Sequence, residues 1–312
     1  MAGLQGKDLV SIGDLRKEDI LNILNLAVEL KAKQKSGQPH KLLAGKTLAM
    51  IFEKPSTRTL VSFQVGMWQL GGHALNLSPD YIQAKVRESI ADVARTLSRY
   101  VDGIMIRTFS HDNVTEFAQF ATVPVINGLS DLSHPCQALS DIFTIMEKKG
   151  KESLKKLKIA YVGDGNNVCH SLMAVASKMG LNLVVAMPKG YEPNEDVTKK
   201  TFEDAKESNA VIEIMNDPVA AAGNADVLYT DVWASMGQES EKEKRKAAFK
   251  GFQVNSKLVS LAKLDVIIMH CLPAHRGEEI TDEVIEGKNS VVFDQAENRL
   301  HVQKAVLALL LA

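Results

Sequence analysis

The strongest constraint on the fold is the regular alternation of short apolar runs with segments of helical periodicity. In the first half, each of four apolar runs precedes a helical pattern: 47–52 then 57–70, 73–77 then 89–100, 103–108 then 112–121, and 123–127 then 134–148. In the second half, further runs indicate five or six strands, at 158–162, 183–187, 211–215, 227–232, 266–270 and 291–294. Continuously apolar strands separated by helices are typical of parallel sheets covered on both faces. The sequence therefore predicts an α/β fold with two domains, each a parallel β-sheet flanked by helices.

The length of the chain and one charged segment set the predicted domain boundary. The 312 residues exceed the ~250–300 at which a single hydrophobic core stops growing, so two domains with a cleft between them are expected. The charged residues 148–152 separate a domain at 1–150 from one at 151–295. Helical periodicity predicts a first helix over 15–35 and a strongly apolar last helix over 296–311, which should pack on a neighbouring element.

Composition excludes several classes of protein. Lys and Arg number 37 against 38 Asp and Glu, so nucleic acid is not an expected partner. There is no apolar run of about 18 residues, so no membrane association is predicted. No signal peptide precedes the first helix, and a cytoplasmic location is expected. The three cysteines form no Cys-x-x-Cys pair and indicate neither a disulfide framework nor a zinc knuckle.

The clearest candidate site is the Phe-Glu-Lys-Pro-Ser-Thr-Arg-Thr sequence at residues 52–59, where a predicted strand turns into a helix. Backbone N–H groups at a helix start attract anions. Ser56, Thr57 and Thr59 add hydroxyl donors and Arg58 adds a guanidinium, which suits a phosphate group. A simple helix cap with Arg58 as a surface charge explains this motif equally well when it is taken alone.

A second candidate is the His-Pro-Cys-Gln sequence at residues 134–137, which opens another predicted helix. His134 and Gln137 share one helical face, and Pro135 suits the first turn. Arg107 ends a predicted strand and would add a donor at the same edge of the sheet. A purely structural His-Pro and a solvated strand-end arginine are the alternatives.

The Gly-Asp-Gly-Asn-Asn sequence at residues 163–167 does not match a dinucleotide-binding loop. Val168 stands where the third glycine of Gly-x-Gly-x-x-Gly would be, and no acidic residue ends the following strand. A two-glycine loop that carries Asn166 and Asn167 instead favours a small polar ligand, because side-chain amides supply both donors and acceptors.

Two further loops carry groups that could bind and activate an amine. Asp231 ends a predicted strand, and the Ser235-Met236-Gly237 loop after it could close as a lid. Cys271 lies where the strand at 266–270 enters a proline-containing loop. The alternatives are a helix cap at Ser235 and a buried, inert cysteine at position 271.

Taken together, these motifs resemble the ornithine carbamoyltransferases in order and spacing over essentially the whole chain. The Ser-Thr-Arg-Thr and His-Pro-x-Gln motifs are shared with aspartate carbamoyltransferases, whereas Ser-Met-Gly and His-Cys-Leu-Pro (270–273) are specific to the ornithine branch. The match extends to Ala-Glu-Asn-Arg at residues 296–299. The resemblance implies transfer of the carbamoyl group from carbamoyl phosphate to the side-chain amine of L-ornithine, a step of arginine metabolism. The products would be L-citrulline and phosphate.

The same resemblance implies an organisation and a set of partners. Residues 1–150 would bind carbamoyl phosphate, with the helix at 296–312 packing back on them, and residues 151–295 would bind ornithine. Homotrimers or trimers of trimers are expected, and neither a cofactor nor a metal is implied.

The resemblance also assigns roles to individual residues. The catalytic residues would be Cys271, Asp231, Arg107 and His134. Those binding carbamoyl phosphate would be Ser56, Thr57, Arg58, Thr59, Gln83, Arg107, His134, Gln137, Cys271, Leu272 and Arg299. Those binding ornithine would be Asn167, Asp231, Ser235 and Met236. Gln83 would reach the site of a neighbouring subunit, although the sequence around it departs from the Arg-Gly-Glu of many relatives.

Three other functions compete with this hypothesis. The nearest is a carbamoyltransferase for another amine, such as putrescine or an acylated ornithine. A nicotinamide-dependent dehydrogenase is disfavoured by the missing third glycine. A non-catalytic sensor would not need groups for both a leaving phosphate and a nucleophile.

Overall fold

The computed structural model describes residues 3–77, 88–234 and 239–312, which form two compact units. The first unit comprises residues 1–143 and 297–312, and the second comprises residues 144–296. The chain passes from one unit to the other at two places, and both lie inside helices, namely α5 (Pro135–Lys149) and α12 (Val292–Leu311). No helix in the described ranges is long and apolar enough to cross a bilayer.

The first unit contains a parallel four-stranded sheet in the order β2-β1-β3-β4. Its strands are β1 (Thr47–Phe52), β2 (His73–Leu77), β3 (Gly103–Arg107) and β4 (Val125–Leu129). Besides a 3-10 turn at Ile12–Asp14, its helices are α1 (Lys17–Lys35), α2 (Thr57–Gln69), α3 (Ile90–Leu97) and α4 (His111–Phe120).

The second unit contains a parallel five-stranded sheet in the order β7-β6-β5-β8-β9. Its strands are β5 (Lys158–Val162), β6 (Asn182–Ala186), β7 (Val211–Met215), β8 (Val227–Thr230) and β9 (Ile267–His270). Its helices are α6 (Asn167–Met179), α7 (Glu195–Ser208), α8 (Pro218–Ala222), α9 (Lys242–Ala248), α10 (Ser256–Val259) and α11 (Asp282–Ile285), with 3-10 turns at Lys151–Lys156 and Glu239–Glu241.

Each sheet carries its own hydrophobic core, which explains why the central strands are apolar throughout. β3 is buried along its whole length, and its Ile104 and Ile106 pack with Phe117 of α4. In the second unit, Ala160 and Val162 of β5 pack with Leu228 of β8. The predicted α/β class, with two parallel sheets flanked by helices, is confirmed.

The strand predicted at 291–294 is wrong, because helix α12 begins at Val292. Only Ser290 pairs with β9, through an isolated bridge to Ile268. Val292 is buried but Phe293 is 66% exposed, so the run does not enter the sheet. Three apolar residues followed by an aspartate cannot be distinguished from the start of a helix by periodicity alone. The last helix therefore starts four residues earlier than predicted.

The strand order fixes where each unit can bind a ligand. In an open parallel sheet, ligands bind at the carboxyl ends of strands where the order reverses. The order reverses between β1 and β3 in the first unit, and between β5 and β8 in the second. Arg107 is the last residue of β3, and the loops after β1, β5 and β8 carry Ser56, Asn166 and Asp231.

Candidate active site

The first unit gathers several cationic and hydroxyl groups around the start of α2, which we call the arginine cluster: Arg58, Arg107, Arg299, Thr59 and His134. Ser56 is the N-cap of α2, and its Oγ accepts a hydrogen bond from the Thr59 N–H at 3.2 Å. Thr59 is fully buried, and its Oγ1 accepts a hydrogen bond from Arg299 Nη2 at 2.8 Å. The cap explanation is thus correct for Ser56, but the same turn also carries a buried hydroxyl bound to an arginine.

Arg107 reaches this cluster because the ends of β1 and β3 are tied together. The Glu53 N–H donates to the Arg107 carbonyl at 2.8 Å. The Glu53 carboxylate accepts hydrogen bonds from the Thr108 hydroxyl and from Asn113 Nδ2, the latter at 3.3 Å. Arg107 itself is only 7% exposed. Glu53 therefore fixes the strand end on which Arg107 lies, a role that the sequence alone did not indicate.

His134 lies in the same electrostatic environment, at the start of α5. Burial lowers the pKa of His134 well below its usual value, and the charges of Arg299, Arg107 and Arg58 lower it further. The imidazole is therefore neutral at physiological pH and offers one N–H donor. A neutral donor beside three cations makes the cluster suited to an anion or a polarised carbonyl oxygen.

Arg58 Nε, a donor, and Gln137 Oε1, an acceptor, are buried in this region and have no hydrogen-bond partner among the residues that the structure describes. The amide nitrogen of Gln137 donates to Asp141 Oδ1 at 2.8 Å, so its oxygen is the end left for a ligand. A buried donor or acceptor left unsatisfied costs about 1–3 kcal/mol. Both atoms therefore favour a ligand that accepts at one end and donates at the other.

The second unit places a carboxylate between an amide and a thiol, which we call the Asp231 cluster: Asn166, Asp231 and Cys271. Asn166 Nδ2 donates to Asp231 Oδ2 at 2.8 Å, and Cys271 Sγ donates to Asp231 Oδ1 at 2.9 Å. Asp231 is 4% exposed, whereas Cys271 is partly exposed. The other two thiols are buried, and burial raises the pKa of Cys136 to about 12 and that of Cys169 well above its usual value. Of the three, Cys271 is the thiol that is partly exposed and hydrogen-bonded to a carboxylate.

Asn167 and Leu272 were predicted to bind substrate, and both lie beside the Asp231 cluster in sequence. Asn167 is the first residue of α6 and is buried, but it is the preceding Asn166 that bonds to Asp231. The Leu272 N–H donates to His270 Nδ1 at 2.8 Å, with a backbone φ of 58°. The sequence indicated both amides as polar groups of this loop but assigned only Asn167 to the substrate; in the structure Asn166 caps α6 with its oxygen, which accepts from the Val168 and Cys169 N–H groups, and keeps its amide nitrogen for Asp231.

Three predicted site residues lie outside the described residues. These are Gln83, expected to reach a neighbouring subunit, and Ser235 and Met236, expected to bind ornithine.

Within the described ranges, two groups of side chains could hold a metal ion by distance alone, namely Asp231 with His270 and Cys271, and His275 with Glu278 and Glu279. Both ring nitrogens of His270 already have partners, Leu272 N–H and Glu279 Oε1. Glu278 already pairs with Lys242 and Lys246, at 3.2 and 2.9 Å. A metal would have to displace these contacts, so neither group is built for one.

Comparison with known proteins identifies relatives over the full length of the chain. Residues 7–147 match the carbamoyl-P binding domain of aspartate/ornithine carbamoyltransferase, and residues 155–310 match its Asp/Orn binding domain. The ornithine carbamoyltransferase of Pyrococcus abyssi is 60% identical over 311 residues, covering 100% of this chain and 98% of the relative. The solved ornithine carbamoyltransferase of Pyrococcus furiosus is 59% identical with a TM-score of 0.96, covering 100% of this chain and 99% of that one. This chain therefore belongs to the aspartate/ornithine carbamoyltransferase family.

Proposed function

We propose that this chain transfers the carbamoyl group of carbamoyl phosphate to the side-chain amine of L-ornithine, giving L-citrulline and phosphate. Relatives named for this activity share 59–60% of their residues with essentially the whole chain, including one named as anabolic. The observation that carries the proposal is the pair of unsatisfied atoms in the first unit, Arg58 Nε and Gln137 Oε1. Carbamoyl phosphate offers an anionic phosphate to the donor and an NH₂ group to the acceptor.

Residues 1–150 with the last helix are proposed to bind carbamoyl phosphate. The phosphate would accept hydrogen bonds at the start of α2, from Ser56, Thr57, Arg58 and Thr59, with Arg107 also in reach. The first turn of a 13-residue helix and a guanidinium stabilise a leaving phosphate without any proton transfer. Arg299 would act through Thr59, to which it donates at 2.8 Å.

The carbonyl oxygen gains negative charge as the amine attacks. Thr59, Arg107 and neutral His134 are proposed as its hydrogen-bond donors, and Gln137 Oε1 would accept from the carbamoyl NH₂. Loss of one such donor typically lowers the rate ~10²–10³-fold. The lowered pKa of His134 supports this role, because a neutral imidazole adds a donor without adding a fourth positive charge.

Residues 151–295 are proposed to bind ornithine and to activate its amine. An amine with a pKa near ~10 is protonated at neutral pH and has no lone pair with which to attack. Asp231 and Cys271, which are hydrogen-bonded to each other at 2.9 Å, would orient the amine and receive its proton as the C–N bond forms and phosphate leaves. Asn167, Ser235 and Met236 complete the proposed ornithine site.

The proposed assembly is a homotrimer or a trimer of trimers in the cytoplasm, in which Gln83 reaches the carbamoyl phosphate site of a neighbouring subunit. The mass of the chain in solution tests the assembly. A stable monomer with full activity would contradict it.

Substitution of Arg58 tests the phosphate site. Arg58→Gly should abolish measurable binding of carbamoyl phosphate by calorimetry, and its melting temperature should fall no further than that of a glycine substitution in another helix, because Arg58 is partly exposed and its Nε has no partner among the described residues. Arg95→Gly is the matched control, since Arg95 lies on the surface of α3, where it pairs with exposed Asp92 and lies over the Phe120 ring. Retained affinity in Arg58→Gly would place the phosphate elsewhere.

Acceptor competition tests the choice of amine. In a citrulline assay with both amines present, ornithine should be carbamoylated in preference to putrescine, because an amino acid offers α-amino and α-carboxylate groups to the second unit. Equal or better use of putrescine would contradict the ornithine assignment.

A further inference from the structure

The second unit contains a buried arginine that the proposed reaction does not use. Arg245 of α9 is 8% exposed, and its Nη1 lies 3.0 Å from Asp164 Oδ2. Asp164 is 5% exposed, so the ion pair is shielded from water on both sides. Charges are buried this deeply only where other groups compensate the lost hydration.

Arg245 has further partners that fix its orientation. Its Nη1 donates to the Trp233 carbonyl at 2.9 Å, and its Nε bonds to Glu241 Oε2 at 3.0 Å. The guanidinium carbon lies 5.0 Å from the centre of the Tyr191 ring. One guanidinium therefore links the loop after β5, which holds Asp164, to the loop after β8, which holds Trp233.

These two loops carry two members of the Asp231 cluster, Asn166 and Asp231. Asp164 lies two residues before Asn166, and Trp233 lies two residues after Asp231, while Asn166 and Asp231 bond directly at 2.8 Å. The loop after β5 has little room to adjust, because a Cβ on Gly165 would approach Pro193 N to 2.4 Å. A displacement of Asp164 or Trp233 would therefore be transmitted to Asn166 and Asp231.

We propose that Arg245 is a positioning residue for the acceptor amino acid. It acts through Asp164 and Trp233 to hold Asn166 and Asp231 in their positions. The inference rests on the proposed function, since it concerns the acceptor site of the same reaction. In the proposed reaction, Arg245 contacts neither the attacking amine nitrogen nor the carbonyl carbon. Its substitution should therefore weaken binding of ornithine and leave binding of carbamoyl phosphate intact.

The electrostatics of Asp164 supply an independent signature. Burial raises the pKa of Asp164 to about 6, Arg245 opposes the rise, and Asp231 and Glu241 add to it. Tyr161 also faces this loop, since its OH donates to the Asp164 carbonyl at 2.9 Å. Above that pH the carboxylate is ionised and pairs with Arg245, and below it the pair weakens. The apparent KM for ornithine should therefore rise as the pH falls through about 6.

The test compares Arg245→Gln, Arg245→Lys and Asp164→Asn in the full-length enzyme, with Arg276→Gln as the matched control. Arg276 also pairs with two carboxylates of the second unit, Asp282 and Glu286, but is 40% exposed. Arg245→Gln should raise the KM for ornithine by about tenfold, the effect of losing one polar contact, with the KM for carbamoyl phosphate unchanged. Arg245→Lys should recover only part of the loss, because an ammonium cannot hold several partners in a planar fork. In Asp164→Asn, the rise of KM near pH 6 should disappear.

The outcomes separate this proposal from a purely structural role and from the proposed function. A lower melting temperature with both KM values unchanged would overturn the positioning role, as would equal increases in both KM values. Full rescue by Arg245→Lys would also overturn it, because charge alone would then suffice. Failure of the unsubstituted enzyme and the Arg276→Gln control to make citrulline would overturn the proposed function instead.

Discussion

His134 shows what the three-dimensional arrangement adds to a residue already singled out by its motif. The sequence indicated that His134 and Arg107 lie near one edge of a sheet, but not that three arginines surround the imidazole. Arg299, which is 240 residues from its partner Thr59, could not be placed there by local reasoning. The protonation state follows from that arrangement, because both burial and positive neighbours disfavour a charged imidazole.

The pKa of His134 gives a direct prediction. Because burial and the arginines lower that pKa, the imidazole should remain neutral at pH values where an ordinary histidine, which titrates near ~6.5, is already charged. The unfolded chain takes up that proton, so this residue should make folding less favourable as the pH falls below ~6.5. Histidine ¹⁵N NMR on the unliganded protein, with the signal assigned by its loss in His134→Gln, measures the state. A midpoint near 6.5 would contradict the prediction.

Helices and strands were predictable where a long periodic pattern or a clearly bounded apolar run existed, whether or not the strand is fully buried. β1, β2, β5 and β7 have the predicted bounds, and α1 differs only at its start. The segment 291–294 is too short for its periodicity to distinguish a strand from the first turn of α12. The site shows the same limit, since Asn166 and Asn167 are adjacent amides and only the fold reveals which one bonds to Asp231.

The capping asparagine of α6 yields a prediction with an internal control. Asn166 and Asn194 cap α6 and α7 in the same way, each side-chain oxygen accepting from two backbone N–H groups at 3.0–3.2 Å. Replacement of either by Ala should lower stability by about 1 kcal/mol. Only Asn166→Ala also removes the bond to Asp231, so it alone should raise the KM for ornithine. Equal kinetic effects in the two variants would mean that Asn166 acts only as a cap.

The candidate sites of the two units carry side chains of opposite charge, although the chain as a whole is nearly neutral, with a formal net charge of −1. Where its strand order reverses, the first unit carries three arginines and a neutral imidazole, whereas the second unit carries a carboxylate and a thiol. An anionic donor substrate and a cationic acceptor amine need opposite environments. The division into two sheets, each with its own reversal of strand order, supplies both environments within one chain.

Because of this division, a substitution that removes the catalytic group for one substrate should leave binding of the other substrate intact. Asp231→Asn should lower turnover by ~10²-fold or more, because the amide cannot receive the proton of the amine. Its affinity for carbamoyl phosphate, measured by calorimetry, should stay within about twofold of the unsubstituted enzyme, since Asp231 belongs to the second unit. Asp265→Asn is the matched control, as its carboxylate is 77% exposed and pairs with Lys149 in the same unit. If Asp231→Asn loses turnover and carbamoyl phosphate affinity together, the two clusters do not act on separate substrates.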